Sequence, residues 1–261
     1  MIDVAKWAEH LLEAEAERRA VPPITDAESG LTVDEAYEIQ DELVRRRVAR
    51  GETVVGAKLG LTSRAKQQAM GVDEPVYGVV TDAMLLAAEQ PLAVDGLIHP
   101  RAEPEIVFIL REDLAGPGVT LHDALDATAA VCAGLEVIDS RYEDFRFTLP
   151  DVVADNTSAA RFALGPRSAV SDFDLALVGC VVEVDGLPHE TATGAATLGH
   201  PAEAVARLAN RQGRLGRSLR AGWVVLSGGL TNAVPLHAGH HVAAAFGRLG
   251  HISLRSVAGG R

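Results

Sequence analysis

Apolar positions recur at helical spacing in the N-terminal part of the chain. Val4, Trp7, Ala8, Leu11 and Leu12 fall on one face, and the pattern stops before Pro22-Pro23, which predicts a first amphipathic helix. A second helix is predicted to open at Thr32-Val33-Asp34-Glu35, where the threonine side chain can cap the free N–H groups of the first turn and Glu35 can reach back. Ala36, Ile39, Leu43 and Val44 then share a face until Gly51. Acidic residues crowd its first turns and Arg45-Arg46-Arg47 its last, the order that the helix dipole favours. These charges read as a solvated face.

The texture changes after Gly51. Short β-type runs at residues 53–59, 105–110, 180–184, 223–227 and 251–257 alternate with glycine and proline punctuation. Asp185-Gly186 after such a run is a hairpin signal. Residues 121–133 and 201–210 read as helices between the runs, the first leading toward Glu136. No internal repeat is visible. The pattern predicts an α+β fold: a mixed, largely antiparallel sheet or roll over residues 53–261, with a helical segment, residues 1–52, packed on it.

A chain of 261 residues, 48% hydrophobic and 23% charged, has the composition of a soluble globular protein that needs no disulfide staple. Its apolar runs are too short to span a bilayer, and residues 1–20 are charged and amphipathic rather than a signal core. Cys132 and Cys180, each in apolar sequence, read as buried reduced thiols. Together these features predict a cytoplasmic protein. The net charge of −12 argues against a nucleic-acid surface, which needs a basic footprint. The same field repels an anionic substrate, so a carboxylate ligand would require a local reversal of sign, most simply by a bound cation.

Candidate chemistry begins at His99-Pro100-Arg101-Ala102-Glu103-Pro104-Glu105, which enters the apolar run 106–110. On a strand Glu103 and Glu105 point the same way, and two adjacent carboxylates resist ionisation unless a cation intervenes. Such a pair alone also fits a solvated strand end. Glu136, flanked by Leu135 and Val137, is a carboxylate in apolar sequence that needs a partner, although spacing alone does not bring it to the other two. Three carboxylates without histidine form a hard oxygen site suited to magnesium or manganese. Lys58 stands alone in an apolar run between Gly56 and Gly60, either lying along the surface or buried against anions. Asp139-Ser140-Arg141 and Asp155-Asn156-Thr157-Ser158 add supporting and hydroxyl groups. Ser227-Gly228-Gly229-Leu230-Thr231 is a glycine turn able to offer N–H groups to a ligand. No zinc-protease helix, hydrolase nucleophile elbow or phosphate loop is present, and the scattered aromatic residues form no stacking platform.

Several segments resemble the 2-keto-4-pentenoate hydratase and 4-oxalocrotonate decarboxylase family, within the fumarylacetoacetate hydrolase superfamily. They are Gly-Ala-Lys-Leu-Gly-Leu-Thr-Ser at 56–63, Met-Gly-Val-Asp-Glu-Pro-Val-Tyr-Gly at 70–78 and His-Pro-Arg-Ala-Glu-Pro-Glu-Ile at 99–106. Residues 135–142, 153–158, 198–201 and 221–229 continue the match in order, nearly end to end. The resemblance implies a mixed β-roll with flanking helices. It implies that Glu103, Glu105 and Glu136 hold magnesium, with manganese as a substitute, that Lys58 is catalytic and faces the substrate, and that Ser158 contacts a substrate carboxylate. Thr231 joins the substrate-binding set, with Asp139 and Arg141 supporting the ligands from behind. Hydratases of the family carry Asp-Phe-Gly where this chain has Val76-Tyr77-Gly78, so Val76 replaces an acid–base aspartate. With residues 62–66, 81–84 and 142–147, this resembles the decarboxylase branch. That branch implies loss of CO2 from the dicarboxylate 2-oxo-3-hexenedioate in catechol meta-cleavage, a homo-oligomer, and association with the hydratase of the same pathway. The alternatives are hydration of 2-hydroxypentadienoate and a non-catalytic partner of the hydratase.

Overall fold

The computed structural model describes residues 2–87, 90–170 and 173–259. Both N-terminal helices form where the apolar spacing predicts them. Helix α1 (Val4–Glu17) buries Trp7, Leu11 and Leu12; after the short α2 (Ile24–Ala27), α3 (Val33–Ala49) buries Ala36, Ile39 and Leu43 and packs on α1. The Thr32–Glu35 capping box closes in both directions and holds the entry to α3.

Strand β1 (Val54–Gly60), helix α4 (Arg64–Met70), strand β2 (Val76–Thr81) and the short β3 (Leu92–Ala93) lead into β4 (Arg101–Leu110). Helix α5 (Leu121–Asp126), strand β5 (Thr128–Ile138), helix α6 (Leu149–Ala154), strand β6 (Ala159–Leu164) and the hairpin β7 (Gly179–Val184) with β8 (Leu187–Thr193) follow. The chain ends in α7 (Pro201–Arg214), β9 (Val224–Leu226), β10 (Val234–Pro235), β11 (His241–Phe246) and β12 (Gly250–Val257). Asp185-Gly186 makes the turn of the β7–β8 hairpin, with both residues at positive φ.

Among the described residues the strands form two sheets. One runs β2-β1-β9-β4-β5-β6 with β10 against β4, antiparallel except for the β1–β9 pair; the other runs β3-β12-β11-β7-β8. The mixed, largely antiparallel α+β architecture is therefore as predicted. Within the same set no helix is long and apolar enough to cross a membrane.

One predicted element is different. The helix expected over 121–133 stops at Asp126, and residues from Thr128 onward join β5 between β4 and β6. Alanine favours a helix in isolation, but a strand flanked on both sides and buried on both faces gains more from the ladder than from local propensity. The consequence is functional, because Glu136 rides on a strand directly opposite Glu103. One face of β4 continues from Glu103 and Glu105 into Val107 and Ile109, which pack with Cys132, Phe162 and Leu226 in a small apolar cluster. The other face, with Ile106 and Phe108, belongs to the main core shared with the second sheet.

Candidate metal centre and substrate cavity

The β4–β5 register pairs Glu103 with Glu136 and Glu105 with Gly134. Residues opposite one another in a ladder share a face, so all three carboxylates emerge on one side of the sheet. Each contributes an oxygen, and these oxygens lie within 4.8 Å of one another. Glu105 and Glu136 are 0% and 1% exposed and Glu103 is 9% exposed. Glu105 Oε2 accepts a 2.7 Å hydrogen bond from the Gly228 N–H. Glu105 Oε1 and both oxygens of Glu136 have no hydrogen-bond partner among the described residues. Burial pushes the Glu105 carboxyl well above the usual carboxylate range, and the neighbouring Glu136 charge adds to it. Burial raises Glu136 too, against the pull of Lys58.

Two ammonium groups face this cluster. Lys58, from β1, is 2% exposed; its Nζ donates to Thr157 O at 3.0 Å and stands 3.1 Å from Glu136 Oε1, outside the alignment of a hydrogen bond. Lys66, from α4, donates from Nζ to Glu103 Oε1 at 2.7 Å and to Thr231 O at 3.3 Å. Burial works against the Lys66 charge, but the carboxylates of Glu103, Glu105 and Glu136 outweigh it and hold its pKa above the ordinary value. Two cations against three carboxylates leave negative charge in a place nearly closed to water. Orphaned carboxylate oxygens with no nitrogen or sulfur donor among them fit a hard divalent cation, and Glu103, Glu105 and Glu136 are the residues able to hold one.

Beside the cluster lies a cavity of about 140 Å³. Lys58, Lys66 and Glu103 line one side, Thr157 and Ser158 another, and Val76, Phe145, Phe147 and Val152 form an apolar wall. The hydroxyl side is built from strained backbone: Asn156, Thr157 and Ser158 stand at φ 49°, 51° and 58°. Consecutive left-handed residues other than glycine cost roughly 1–2 kcal/mol each and persist only where their surroundings dictate them. Here the buried Arg141 does so. It pairs with the Asp155 carboxylate and backbone oxygen, and donates to Asp139 O at 2.8 Å and Ala159 O at 3.2 Å. The turn aims Thr157 O at Lys58. Burial pushes the Asp155 carboxyl up to about 6 even with Arg141 against it.

Glu103, Glu105, Glu136, Lys58, Val76 and Ser158 thus meet at one place. Ser158 lines the cavity, but its hydroxyl donates to Asp155 Oδ2 at 3.1 Å. Thr231 is turned away: its hydroxyl donates to Asn232 O, and it lines a neighbouring cavity of about 190 Å³. Asp139 accepts from the N–H groups of Ile98 and His99 at 2.9 and 2.7 Å, pinning the entry to β4, and Arg141 serves the Asp155 turn; neither hydrogen-bonds a glutamate. The Gly228-Gly229 turn spends an N–H on Glu105 rather than on a ligand. A Cβ at Gly229 would lie 2.6 Å from the Glu103 carboxyl carbon, so a larger residue there would have to displace that carboxylate. Lys66, Phe145 and Phe147 lie in the segments 62–66 and 142–147 that mark the resemblance to the decarboxylase branch, but local spacing gives none of them a role at the site. Lys66 meets Glu103 and Thr231, and Phe145 meets His99 and Arg101, across long stretches of chain.

The Fumarylacetoacetate (FAA) hydrolase C-terminal model matches residues 53–255. The chain is 42% identical to 4-oxalocrotonate decarboxylase of Pseudomonas sp. (strain CF600), over 97% of both chains. It is 44% identical to 2-hydroxypent-2,4-dienoate hydratase of Pseudomonas putida, over 82% of this chain and 97% of the hydratase. Its fold superposes on 4-oxalocrotonate decarboxylase from Pseudomonas putida G7, complexed with magnesium and adipate, with a TM-score of 0.95 and 39% identity over 97% of both chains.

Proposed function

Because the chain belongs to the fumarylacetoacetate hydrolase family, we infer that it is a magnesium-dependent carboxy-lyase that converts 2-oxo-3-hexenedioate to 2-hydroxypenta-2,4-dienoate and CO2. The observation that carries this reading is the buried glutamate triad beside a cavity whose wall at Val76, Phe145, Phe147 and Val152 is apolar. Likeness to decarboxylases over nearly the whole chain agrees with it.

In the reaction the C5–C6 bond breaks and CO2 leaves. Its electron pair forms the C4–C5 double bond, the C3–C4 pair moves to C2–C3, and charge collects on the C2 oxygen, which takes up a proton. When bound by Glu103, Glu105 and Glu136, magnesium supplies a Lewis acid that stabilises charge on that oxygen. Lys58, held by Thr157 O and Glu136, keeps a fixed positive charge beside the triad. Val76, Phe145, Phe147 and Val152 exclude water and supply no carboxylate to direct a water molecule onto the diene product. Ser158 can turn its hydroxyl from Asp155 to a substrate carboxylate.

Purified protein given 2-oxo-3-hexenedioate with magnesium is expected to release CO2 and accumulate the dienoate. Consumption of the dienoate without CO2 release would instead support the hydratase reading, which the 44% identity to a hydratase favours. We further propose that residues 53–261 form the catalytic unit, with 1–52 packed on it. The protein works in the cytoplasm as a homo-oligomer and docks with its pathway's hydratase. The free buried thiols Cys132 and Cys180 accord with a reducing compartment, and the exposed Leu177 and Leu187 beside the β7–β8 edge offer apolar surface for contact between chains.

A further inference from the structure

Lys58 and Lys66 both face the triad, but they are held very differently. The Lys58 side chain is 3% exposed and fixed between Thr157 O and Glu136. That of Lys66 is 28% exposed, on a short helix capped by Ser63. It borders both the substrate cavity and the neighbouring cavity with Thr231 and Asn232, so its four-carbon stem has room on two sides. Its ammonium sits on Glu103 Oε1, and its other acceptor is a backbone oxygen at 3.3 Å.

An ammonium hydrogen-bonded to one carboxylate of a cation site is a resident competitor for that site. A divalent ion held by the same carboxylate repels it and removes its acceptor. Once released, Lys66 has one direction that restores a partner: toward an anion in the cavity it already lines. Among the described lining residues the cations are Lys58 and Lys66, and Lys58 is committed. A dicarboxylate 2-oxo acid brings a second carboxylate that a monocarboxylate lacks.

We propose that Lys66 holds the cation position on Glu103 until the metal displaces it, and then binds the second carboxylate of the substrate. The identity of that substrate rests on the function proposed above. Lys66 is thus a specificity-determining residue that couples metal occupancy to recognition of a dicarboxylate.

Calorimetric titration of the metal-free protein with manganese tests the first half. Lys66→Gln is expected to bind manganese about fivefold tighter than the wild type, the worth of one partly exposed ion pair. With saturating manganese, binding of 2-oxohexanedioate and of 2-oxohexanoate tests the second. Neither saturated acid can undergo the vinylogous decarboxylation. Lys66→Gln should weaken the dicarboxylate about tenfold and leave the monocarboxylate unchanged. Lys66→Met, which keeps the apolar stem, should give the same two shifts, with thermal unfolding reporting that both variants are folded. Unchanged or weaker manganese binding overturns the competition, and equal losses on the two acids overturn the recognition. A protein that shows both shifts yet releases no CO2 keeps this role for Lys66 and loses the decarboxylase reading. One that releases CO2 without either shift does the reverse.

Discussion

At the scale of single residues, Glu136 shows what burial demands. Its two oxygens are orphaned beside two more carboxylates, and among the described residues the cation paired with it is Lys58. Replacing it by the isosteric glutamine removes a charge and a metal ligand together. Glu136→Gln is expected to abolish magnesium binding by calorimetry and to lower turnover by about a thousandfold or more. Its metal-free melting temperature should equal or exceed that of the wild type, because like-charge repulsion is relieved. Near-normal turnover in a folded variant would sink the three-glutamate centre. Glu103 and Glu105 were legible as a pair because strand alternation has a period of two, and Lys58 because a lone cation in an apolar run needs an explanation. Lys66 was not. A lysine on a short polar helix looks like solvent-facing charge, and its partner Glu103 is 37 residues away.

At the scale of elements, the β4–β5 pair makes the centre and the Asp155–Ser158 turn furnishes its opposite wall. Helix signals over 121–133 outweighed strand signals locally, so the sequence placed Glu136 after a helix. Only the ladder puts it across from Glu103, and cross-strand register has no short-range signature. The turn was legible as polar residues but not as three left-handed ones, since Asn, Thr and Ser do not announce positive φ as glycine does. Its conformation depends on Arg141, which is fully buried and holds four backbone or side-chain oxygens. Arg141→Met leaves Asp155 as an uncompensated buried carboxylate, and breaking such a pair costs about 3–5 kcal/mol. Urea unfolding should show that loss. At a denaturant concentration where the variant is still folded, turnover should fall as well, because Thr157 O no longer fixes Lys58. A loss below about 1 kcal/mol would mean that the turn holds its shape without the arginine.

For the whole molecule, buried carboxyls whose pKa differs between the folded and unfolded chain link proton and metal uptake to folding. Glu105 and Glu136 have raised pKa values in the metal-free protein, so the folded state binds more protons than the unfolded chain at pH values above the ordinary carboxylate range. Stability from these groups is present at low pH and lost as pH rises through their raised values. Asp155 acts in the same sense: its contribution is complete below 3.8 and lost as pH climbs through about 6. Magnesium separates the two. It takes the place of the protons on the glutamates but touches nothing at Asp155, which pairs with Arg141 instead. Carboxylates held below their ordinary range, such as Glu42 by Arg45 and Arg46 and Asp113 by the Ala221 N–H and Arg220, act in the opposite sense, and their contribution is complete once the unfolded chain's carboxyls have ionised, by about pH 5. The melting temperature of the metal-free protein should therefore fall as pH rises from about 5 through 6. The increment produced by saturating magnesium should grow with pH, because fewer protons compete for the site. At a hundred times its dissociation constant the ion adds about 2.7 kcal/mol. Thermal scans across this range with magnesium and with a chelator give both curves, and their difference isolates the glutamates. An increment that stays flat with pH would show that magnesium binds somewhere other than the raised carboxylates.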